Sequence, residues 1–537
     1  MPTADAVVIG SGPNGLVAAN LLADAGWQVV VLEAQPRIGG AVASDRDVHP
    51  DHVHDTFSSF YPLAVVSPTI RGLGLERFGL EWSKAPAVVG TPFSNGDWAL
   101  MHNERNDTAD ALDKLASGDG DAWLGMCAGW EKIGDQVVGA LLSPFPPVKA
   151  GASSAVRVPR AGGLAFVRQM LAPVRRLADE NFRGDGPKIL IAANAAHSDI
   201  PMDAPGSAVM GWLLAMVGQH LGYPVPKGGA GMLADAMASR FRSVGGEIHV
   251  GSRVDEVLVR DGRAVGVRTE HGEVFEARQA VVADVSAPAL FGGLVAWDHL
   301  PAKLRRRMES FEWDPGTFKV DWALDGPIPW ANPPEKEPGT VHISESVDEL
   351  AISGAQITSG LVPATPFLLV GQMASADPIR APAGHESVWA YTHVPQDIRG
   401  DAGDGSIQGR WAEGDAERMA DRMQARLEKY APGFGDRIKA RRILAPPDLQ
   451  ARNENLRNGA VNGGTAGLHQ QLVFRPVPGL GRAETPVKGL YLGSASAHPG
   501  GGVHGAAGSN AARAAIAHAR VRRVLGMGPW AGGTARP

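Results

Sequence analysis

A glycine-rich turn close to the start of the chain has the residue types and the spacing of a phosphate-binding loop. The turn, Gly10–Gly15, reads Gly-Ser-Gly-Pro-Asn-Gly and follows the apolar run Ala6–Ile9. In such a turn the first glycine permits the tight bend, the second lets the backbone approach a pyrophosphate, and the third lets a helix pack closely against its strand. The helix that follows presents free N–H groups and a partial positive charge to the phosphates. The predicted contacts with a dinucleotide are Gly10, Gly12, Pro13, Asn14 and Gly15.

An acidic residue stands where it can bind the ribose of the same ligand. Leu16–Ala25 has the composition of a helix, and the apolar run Trp27–Leu32 predicts a second strand. Glu33 ends that strand, eighteen residues past Gly15. A carboxylate at this place accepts hydrogen bonds from the ribose hydroxyls of adenosine. Strand, glycine turn, helix, strand and acid together predict one βαβ dinucleotide-binding unit.

Two further glycine-rich segments favour FAD over NAD as the dinucleotide. A second glycine pair, Gly39-Gly40, follows Arg37 and would carry the chain past the same pyrophosphate toward the ribityl chain. Near the C-terminus, Gly489–Leu492 predicts a strand that leads through a glycine loop into a helix, Gly505–Arg522. Glycines allow a flat ring to lie against bare backbone, and a helix N-terminus stabilises negative charge on a reduced flavin. The further predicted FAD contacts are Arg37, Gly39, Gly40, Val254, Gly493, Gly501, Gly502 and Val503.

The elements that must position these segments alternate between strands and helices along the chain. Strands are expected at Glu247–Val250, Val254–Arg260, Ala264–Thr269, Gln279–Ala283, Lys319–Leu324 and Phe367–Met373, and helices at Ala230–Val244 and Glu413–Tyr430. The Pro- and Gly-rich patch Ser143–Gly163 predicts a loop. This pattern predicts an α/β fold, in which a discontinuous Rossmann-type FAD-binding domain carries an inserted α+β substrate-binding domain. The expected ranges are 1–90, 225–300 and 480–537 for the FAD-binding domain, and 91–224 and 301–479 for the substrate-binding domain.

Charge and cysteine content exclude several classes of function. The 537 residues carry a formal net charge of -6 and no long run of Lys or Arg, so nucleic-acid binding has no electrostatic support. Cys127 is the single cysteine, which excludes an intramolecular disulfide and a redox pair of the Cys-x-x-Cys type. No His-Glu-x-x-His, Gly-x-Ser-x-Gly or Walker motif is present. No motif in the sequence therefore supports a metal-dependent, acyl-transfer or phosphoryl-transfer enzyme.

Nothing in the sequence predicts export or a membrane span. The short lead Met1–Ala6 leaves no room for the basic region and apolar core of a secretory signal. The longest uncharged apolar stretch, Ala208–Val217, is shorter than the roughly twenty residues that a spanning helix needs. A buried core helix is the preferred interpretation of this stretch, and a peripheral contact with a membrane is the alternative. We therefore expect a cytoplasmic protein, with or without such a contact.

At both ends the sequence resembles the phytoene-dehydrogenase-related family of FAD-dependent oxidoreductases. The segment Asp5–Ala19 is similar to the N-terminus of these proteins, and its triplet Asn14–Leu16 is typical of the branch of pyridine nucleotide-disulfide oxidoreductase domain-containing protein 2. The segments Asn462–Leu480 and Gly489–Asn510 resemble the C-terminus of that branch. The resemblance implies the amine-oxidase-like FAD fold shared by carotenoid desaturases and monoamine oxidases. One difference is Gly493-Ser494, where many flavoproteins of this architecture have Gly-Asp.

The resemblance also implies which residues take part in catalysis. Strands similar to Lys319–Leu324 in the amine oxidase superfamily carry a lysine that holds a water near flavin N5, so Lys319 is one candidate and a solvent-facing strand lysine is the alternative. His498 and His504 flank the C-terminal glycine loop, and each is a candidate to reach the flavin or the substrate, with a structural histidine as the alternative. Tyr61, which follows the second glycine pair, is a candidate for the cavity lining.

The apolar run Gly206–Tyr223 bears on the substrate. It carries Trp212 and Met216 without any Asp, Glu, Lys or Arg, and it either lines a substrate tunnel or belongs to the core. We expect an FAD enzyme that dehydrogenates a hydrophobic, polyene or lipid-like small molecule by hydride transfer to flavin N5, with oxygen or a quinone as electron acceptor. A flavin amine oxidase is the alternative enzyme.

A binding protein is the alternative from another class. Rab-escort and GDP-dissociation-inhibitor proteins resemble this architecture but bind prenylated partners without using a flavin, which makes a non-enzymatic prenyl- or lipid-binding protein the competing hypothesis. The glycine turn, Glu33 and the C-terminal loop Gly500–Gly505 are all intact in this chain. A pure binding protein has no need for all three, so the sequence favours the enzyme.

Overall fold

The computed structural model describes residues 2–147, 158–412 and 414–526. Residues 148–157 of the predicted loop Ser143–Gly163, and Glu413 at the start of a predicted helix, lie outside these ranges. The strands are β1 (Thr3–Ile9), β2 (Val29–Leu32), β3 (Ser44–Asp45), β4 (His54–Asp55), β5 (Trp82–Ser83), β6 (Ala87–Pro92), β7 (Trp98–His102), β8 (Val225–Pro226), β9 (Glu247–His249), β10 (Val254–Arg260), β11 (Arg263–Thr269), β12 (Val274–Ala283), β13 (Gly316–Leu324), β14 (Pro338–Ile343), β15 (Leu361–Val362), β16 (Leu368–Gln372), β17 (Glu386–Val394), β18 (Gly400–Asp401), β19 (Ile438–Leu444) and β20 (Leu490–Leu492). The α-helices are α1 (Pro13–Asp24), α2 (Pro62–Val66), α3 (Pro68–Gly72), α4 (Arg105–Leu115), α5 (Asp119–Leu142), α6 (Leu164–Leu171), α7 (Val174–Asn181), α8 (Asp185–Ala195), α9 (Ser207–Leu221), α10 (Gly231–Ser243), α11 (Ala287–Ala289), α12 (Ala302–Glu309), α13 (Val347–Thr358), α14 (Met373–Ala376), α15 (Asp415–Glu428), α16 (Pro446–Arg452) and α17 (Ala506–Val524).

The first sheet brings together three distant parts of the chain. Its strand order is β10-β11-β12-β1-β2-β9, and β20 also pairs with β12. The strands β20, β12, β1, β2 and β9 run parallel, whereas β10 and β11 continue the sheet as antiparallel strands. β2 consists of Val and Leu alone and is fully buried, which is typical of parallel strands that are covered on both faces.

The register of these strands determines what meets at their carboxyl ends. Val281 of β12 pairs with Val7 of β1 and with Leu490 of β20. Because the strands are parallel and in step, their carboxyl ends lie along one edge of the sheet. The residues that directly follow β1, β2, β12 and β20 are Gly10, Glu33, Asp284 and Gly493. Open α/β sheets bind their ligands at this edge.

The second sheet is mixed and has the order β19-β13-β17-β16-β14-β6-β7. Only the pair β14–β6 is parallel within this order. Helices α5, α8 and α9 pack on one face of the sheet, and α15 packs on the other. Trp389 belongs to the first of these cores and Val388 to the second, because successive side chains of a strand point to opposite faces. The predicted α/β architecture, a Rossmann-type sheet with a second layer of strands and helices, is therefore present.

The predicted elements occur with small differences at their ends. α1 begins at Pro13 instead of Leu16, because a proline in the first turn of a helix loses no hydrogen bond. β12 begins at Val274 instead of Gln279, since its first residues pair with β11. α9 contains the apolar stretch Ala208–Val217 and is largely buried. Within the described ranges, no helix is long and apolar enough to cross a membrane.

Candidate functional site

The turn between β1 and α1 has room for backbone only. A Cβ atom added at Gly15 would lie 2.2 Å from the carbonyl oxygen of Gly10, and one added at Gly12 would lie 2.6 Å from Oδ2 of Asp284. Gly12 is the N-cap residue of α1 and has no side chain with which to bind the first N–H groups of the helix. The glycines therefore allow the close contact between strand and helix, and they leave bare backbone at the wall of a cavity.

Glu33 holds this turn in place. Its Oε2 accepts hydrogen bonds from the backbone N–H and the hydroxyl of Ser11, at 2.8 and 2.7 Å, and its Oε1 accepts one from the N–H of Gln35 at 2.9 Å. The side chain is buried but borders the cavity. Glu33 thus stabilises the glycine turn itself, and a contact with a ribose at the same carboxylate stays a prediction.

Asp284 is a site residue that the analysis of the sequence missed. It directly follows β12, and its Oδ2 accepts a hydrogen bond of 2.8 Å from the N–H of Gly15, which is one of the free N–H groups expected at the start of α1. Burial raises the pKa of Asp284 to about 7, and the neighbouring charge of Glu33 acts in the same direction. The signal was available: Asp284 ends an apolar strand, as Glu33 does.

A cavity of about 1120 Å³ follows the carboxyl edge of the first sheet from Glu33 past Gly12 to Val503. Its size exceeds the 300–1,000 Å³ or so that is usual for small-molecule sites. Oδ1 of Asn14, at the cavity wall, is shielded from solvent and has no hydrogen-bond partner among the described residues. The predicted contacts that line this cavity are Gly10, Gly12, Pro13, Asn14, Glu33, Arg37, Gly40, Val254, Gly502 and Val503.

Four predicted glycine contacts do not line this cavity. Gly15 touches the carbonyl of Gly10, as described above. A Cβ atom added at Gly39 would lie 2.4 Å from the carbonyl oxygen of Val42. One added at Gly501 would lie 2.7 Å from Oδ1 of Asn462. At Gly493 an added Cβ would lie 3.1 Å from Val282. These glycines allow close packing behind the wall, and a direct contact of each with FAD stays a prediction.

The C-terminal segment forms the far end of the cavity. After β20, the chain contributes Ser494, Ala495 and Ser496 to the wall and returns to it with Gly502 and Val503. α17 then begins at Ala506, later than the predicted start at Gly505. Its first turn packs directly on α1, since a Cβ atom at Gly508 would lie only 1.9 Å from the carbonyl oxygen of Asn14. The two glycine-rich ends of the chain therefore build one cavity.

The two candidate histidines make structural contacts. Nδ1 of His504 accepts a hydrogen bond of 3.1 Å from the N–H of Ala506 and so caps α17, and burial lowers the pKa of His504 to about 4. Nε2 of His498 lies 3.1 Å from the carbonyl oxygen of Ser143, and burial lowers its pKa as well. Neither residue lines the cavity. The structure therefore supports the structural alternative for both residues.

Lys319 is buried, which corrects the alternative of a solvent-facing lysine. Its Nζ donates a hydrogen bond of 2.9 Å to the carbonyl oxygen of Asp55 and forms an ion pair with Asp321. Arg442 joins Asp321 to Asp45 at 2.8 and 2.7 Å. Burial lowers the pKa of Lys319, and the charge of Asp321 opposes that change. Lys319 does not line the cavity described above, so this network, and not the cavity wall, surrounds its ammonium group.

The three predicted substrate contacts also lie behind the cavity walls. The hydroxyl of Tyr61 donates a hydrogen bond of 2.8 Å to the carbonyl oxygen of Ser58, and burial raises the pKa of Tyr61. Trp212 and Met216 on α9 are buried in the core that α5, α8 and α9 form with the second sheet. Long apolar side chains of a buried helix pack in a core as readily as along a tunnel, and here they belong to the core.

An open cleft of about 1310 Å³ adjoins the first cavity. The two spaces share the residues Ser286, Ala289, Gly293 and Glu454. The cleft continues along Asp199, Thr465 and the segment that follows β17. The two spaces therefore lie next to each other at the edge of the first sheet.

Two family models match this chain. The model described as NAD(P)-binding Rossmann-like domain matches residues 8–71, which contain the glycine turn, α1 and Glu33. The model described as Flavin containing amine oxidoreductase matches residues 160–516, which include most of the second sheet and the C-terminal glycine loop.

Known proteins resemble the chain over nearly its whole length. It is 30% identical to pyridine nucleotide-disulfide oxidoreductase domain-containing protein 2 of Rattus norvegicus, over 95% of this chain and 93% of that protein. It is 24% identical to the phytoene desaturase (neurosporene-forming) of Rhodobacter capsulatus, over 94% and 92%. A solved structure of a putrescine oxidase variant has the same fold, with a TM-score of 0.60 at 15% identity over 96% and 99%. The chain therefore belongs to the flavin-containing amine oxidoreductase family, within the FAD-dependent oxidoreductases that include desaturases and amine oxidases, and is a homologue of pyridine nucleotide-disulfide oxidoreductase domain-containing protein 2.

Proposed function

We propose that the protein binds FAD non-covalently in the cavity along the first sheet and dehydrogenates a hydrophobic, polyene or lipid-like small molecule. The observation that carries the proposal is the cavity of about 1120 Å³, which passes from Glu33 along bare glycine backbone to Val503. The residues present fit an extended dinucleotide, since the acid, the glycine turn and the C-terminal loop lie along it in that order. Cys127 is buried in the helical core, so no thiol is available for a covalent link.

Each part of the wall has a definite task in this proposal. Glu33 receives the ribose hydroxyls, while Gly12, Gly40 and the N-terminus of α1 receive the pyrophosphate. The loop at Ser494–Ser496, with Gly502 and Val503, holds the ring end. When bound, the flavin supplies an acceptor for a hydride from a C–H bond at its N5. The chain then has to orient the substrate and exclude water.

The substrate enters, in this proposal, through the open cleft. The cleft meets the cavity at Ser286, Ala289, Gly293 and Glu454. The name of the bacterial relative, a phytoene desaturase, supports a hydrophobic substrate. The single cysteine accords with a reducing compartment, so the proposal places the reaction in the cytoplasm. The proposed electron acceptor is oxygen or a quinone.

Flavin release and anaerobic reduction test this proposal. Heat or acid treatment of the purified protein should release a stoichiometric flavin that co-migrates with FAD. Without oxygen, polyenes or lipids should bleach the flavin absorption band. If amines alone bleach the band, the protein is a flavin amine oxidase, which its family name also accommodates. The proposal that the protein is an FAD enzyme would be wrong if the folded protein is colourless, FAD cannot reconstitute it, and it binds prenylated partners.

A further inference from the structure

The second sheet carries polar side chains on the face that meets the helical layer. Directly paired residues of antiparallel strands point to the same face of a sheet. Thr317 of β13 pairs with His393 of β17. Two residues earlier on β17, Tyr391 pairs with Leu369 of β16, which pairs with His342 of β14. These polar side chains therefore share one buried face, across three neighbouring strand pairs.

Several polar atoms of this face lack a partner. The hydroxyl of Thr317, Nδ1 of His342 and both ring nitrogens of His393 are shielded from solvent, and none makes a hydrogen bond to a residue that the structure describes. Buried polar atoms of proteins are nearly always paired with protein, water or ligand. A ligand that brings donors and acceptors of its own would satisfy them.

The histidines of this face are neutral and do not belong to a cluster of metal ligands among the described residues. Nε2 of His197, which follows α8, lies 3.0 Å from Nε2 of His342. Burial lowers the pKa of His197 to about 3 and keeps those of His342 and His393 below the usual value, although the Asp199 charge acts in the opposite direction on His393. No group of three or more metal-ligating side chains occurs in the described ranges. Each ring is thus neutral, with one donor and one acceptor nitrogen.

This face lies beside the route that the substrate would use. Along β17, the side chains up to Ala390 are buried, whereas Tyr391 and His393 keep partial exposure. The residues that follow the strand, Pro395 to Asp397, line the open cleft, as does Asp199. His393 therefore directly precedes, by two residues, the segment of the chain that forms part of the cleft wall.

We propose that Thr317, Tyr391 and His393, together with His342 on the same face and its neighbour His197, form a polar subsite that binds a hydroxyl or carbonyl oxygen of the substrate. A neutral imidazole offers one donor and one acceptor, which a hydroxyl matches in both roles. An alkylammonium group can only donate hydrogen bonds, and a hydrocarbon can neither donate nor accept them. Sites that are built to hydrogen-bond a substrate oxygen strongly reject analogues without it. This subsite rests on the proposed function and narrows its substrate class to oxygen-bearing lipids.

Calorimetric titration of the purified protein with 1-octanol, 2-octanone, n-octane and octylamine tests the subsite. We expect the alcohol and the ketone to bind at least about tenfold more tightly than the alkane and the amine. Thr317→Val and His393→Phe should each weaken octanol binding about three- to tenfold and leave octane binding unchanged. The control is Ser509→Ala on α17, which removes another buried, unpaired hydroxyl from a helix that packs on α1 of the first sheet.

The outcomes separate the subsite from the proposed function. Four outcomes would each overturn the subsite. They are equal binding of octane and octanol, tightest binding of octylamine, no binding of any probe, and an equal effect of Thr317→Val and Ser509→Ala on octanol binding. The flavin content of the same samples is read independently by absorbance. A flavin-free protein that still prefers octanol would overturn the proposed function alone. Thr317→Val is nearly isosteric, so it decides the question even if His393→Phe fails to fold.

Discussion

Two carboxylates at the ends of parallel strands lie side by side but have different environments. Glu33 accepts three hydrogen bonds, from Ser11 and Gln35. Asp284 accepts one, from the N–H of Gly15, and burial raises its pKa to about 7. The place proposed for an anionic pyrophosphate is therefore faced by a carboxyl group that is mostly neutral at pH 6 and mostly ionised at pH 8.

Asp284 should make FAD binding depend on pH. As the pH rises through about 7, the side chain ionises and repels the phosphates, so the affinity for FAD should fall, by up to about tenfold per pH unit. Asp284→Asn keeps an oxygen acceptor for the N–H of Gly15 without a charge, and its affinity should not change over this range. Fluorescence titration of apoprotein with FAD at pH 6, 7 and 8 measures the effect. A parent protein with the same affinity at all three values would contradict it.

Gly12 should be essential for flavin binding. In Gly12→Val the side chain would meet Oδ2 of Asp284, since a Cβ atom there lies 2.6 Å away, and it would fill the space beside the backbone that the pyrophosphate needs. We expect a folded protein without FAD, as measured by absorbance after gel filtration. The matched control is Gly125→Val on α5, where an added Cβ meets no atom within 4 Å. Equal FAD content in the two variants would place the cofactor elsewhere.

Strand β13 carries a buried ion network between the second sheet and the hairpin β3–β4. Lys319 pairs with Asp321, and Arg442 links Asp321 to Asp45 of β3. Removing one partner of a buried ion pair leaves an uncompensated charge, so Lys319→Met should lower the free energy of unfolding by about 3–5 kcal/mol. Denaturant titration measures this. The exposed pair Lys336–Asp107 provides the control, and Lys336→Met should leave the free energy of unfolding nearly unchanged.

Full stability of Lys319→Met together with loss of flavin reduction would favour the catalytic role that the family resemblance implies for Lys319. Loss of both would favour the structural role, because a distorted β13 also moves the neighbouring strand β17.

Helix α9 fills the core between the second sheet and the other helices. Met216 is fully buried in that core, so Met216→Trp should overpack it and lower the free energy of unfolding by about 1–3 kcal/mol. The FAD content of the folded protein should stay the same. Val521→Trp on α17, at a side chain that is 56% exposed, serves as the control without such a cost. If Met216→Trp leaves the stability unchanged but abolishes flavin reduction by long substrates, α9 is instead part of a tunnel wall.

Three separate parts of the chain form the wall of the proposed cofactor site, so this site connects distant segments of the molecule. A ligand that binds only this folded arrangement stabilises it by mass action. FAD at about a hundredfold excess over its dissociation constant should raise the free energy of unfolding of the apoprotein by about 2.7 kcal/mol. Thermal unfolding at several FAD concentrations measures the shift. NAD is the control ligand, and an equal shift with NAD would contradict the assignment of the cofactor.

Local sequence by itself determined the βαβ unit at the start of the chain. The turn Gly10–Gly15, helix α1, strand β2 and Glu33 follow one another within about thirty residues, and their contacts depend on near neighbours. The apolar strands were recognisable for the same reason, since β-branched runs bounded by Gly and Asp form short buried strands. The C-terminal strand, glycine loop and helix were equally local.

Tertiary structure alone decided which distant side chains meet. Asp284 binds an N–H group 269 residues away, and Lys319 binds a carbonyl 264 residues away. Thr317 faces His393 only because β13 and β17 pair in one register, and a shift by one residue would turn His393 to the other face. Local patterns carry no information about such registers, because the free energy that selects them comes from burying both faces of a sheet at once.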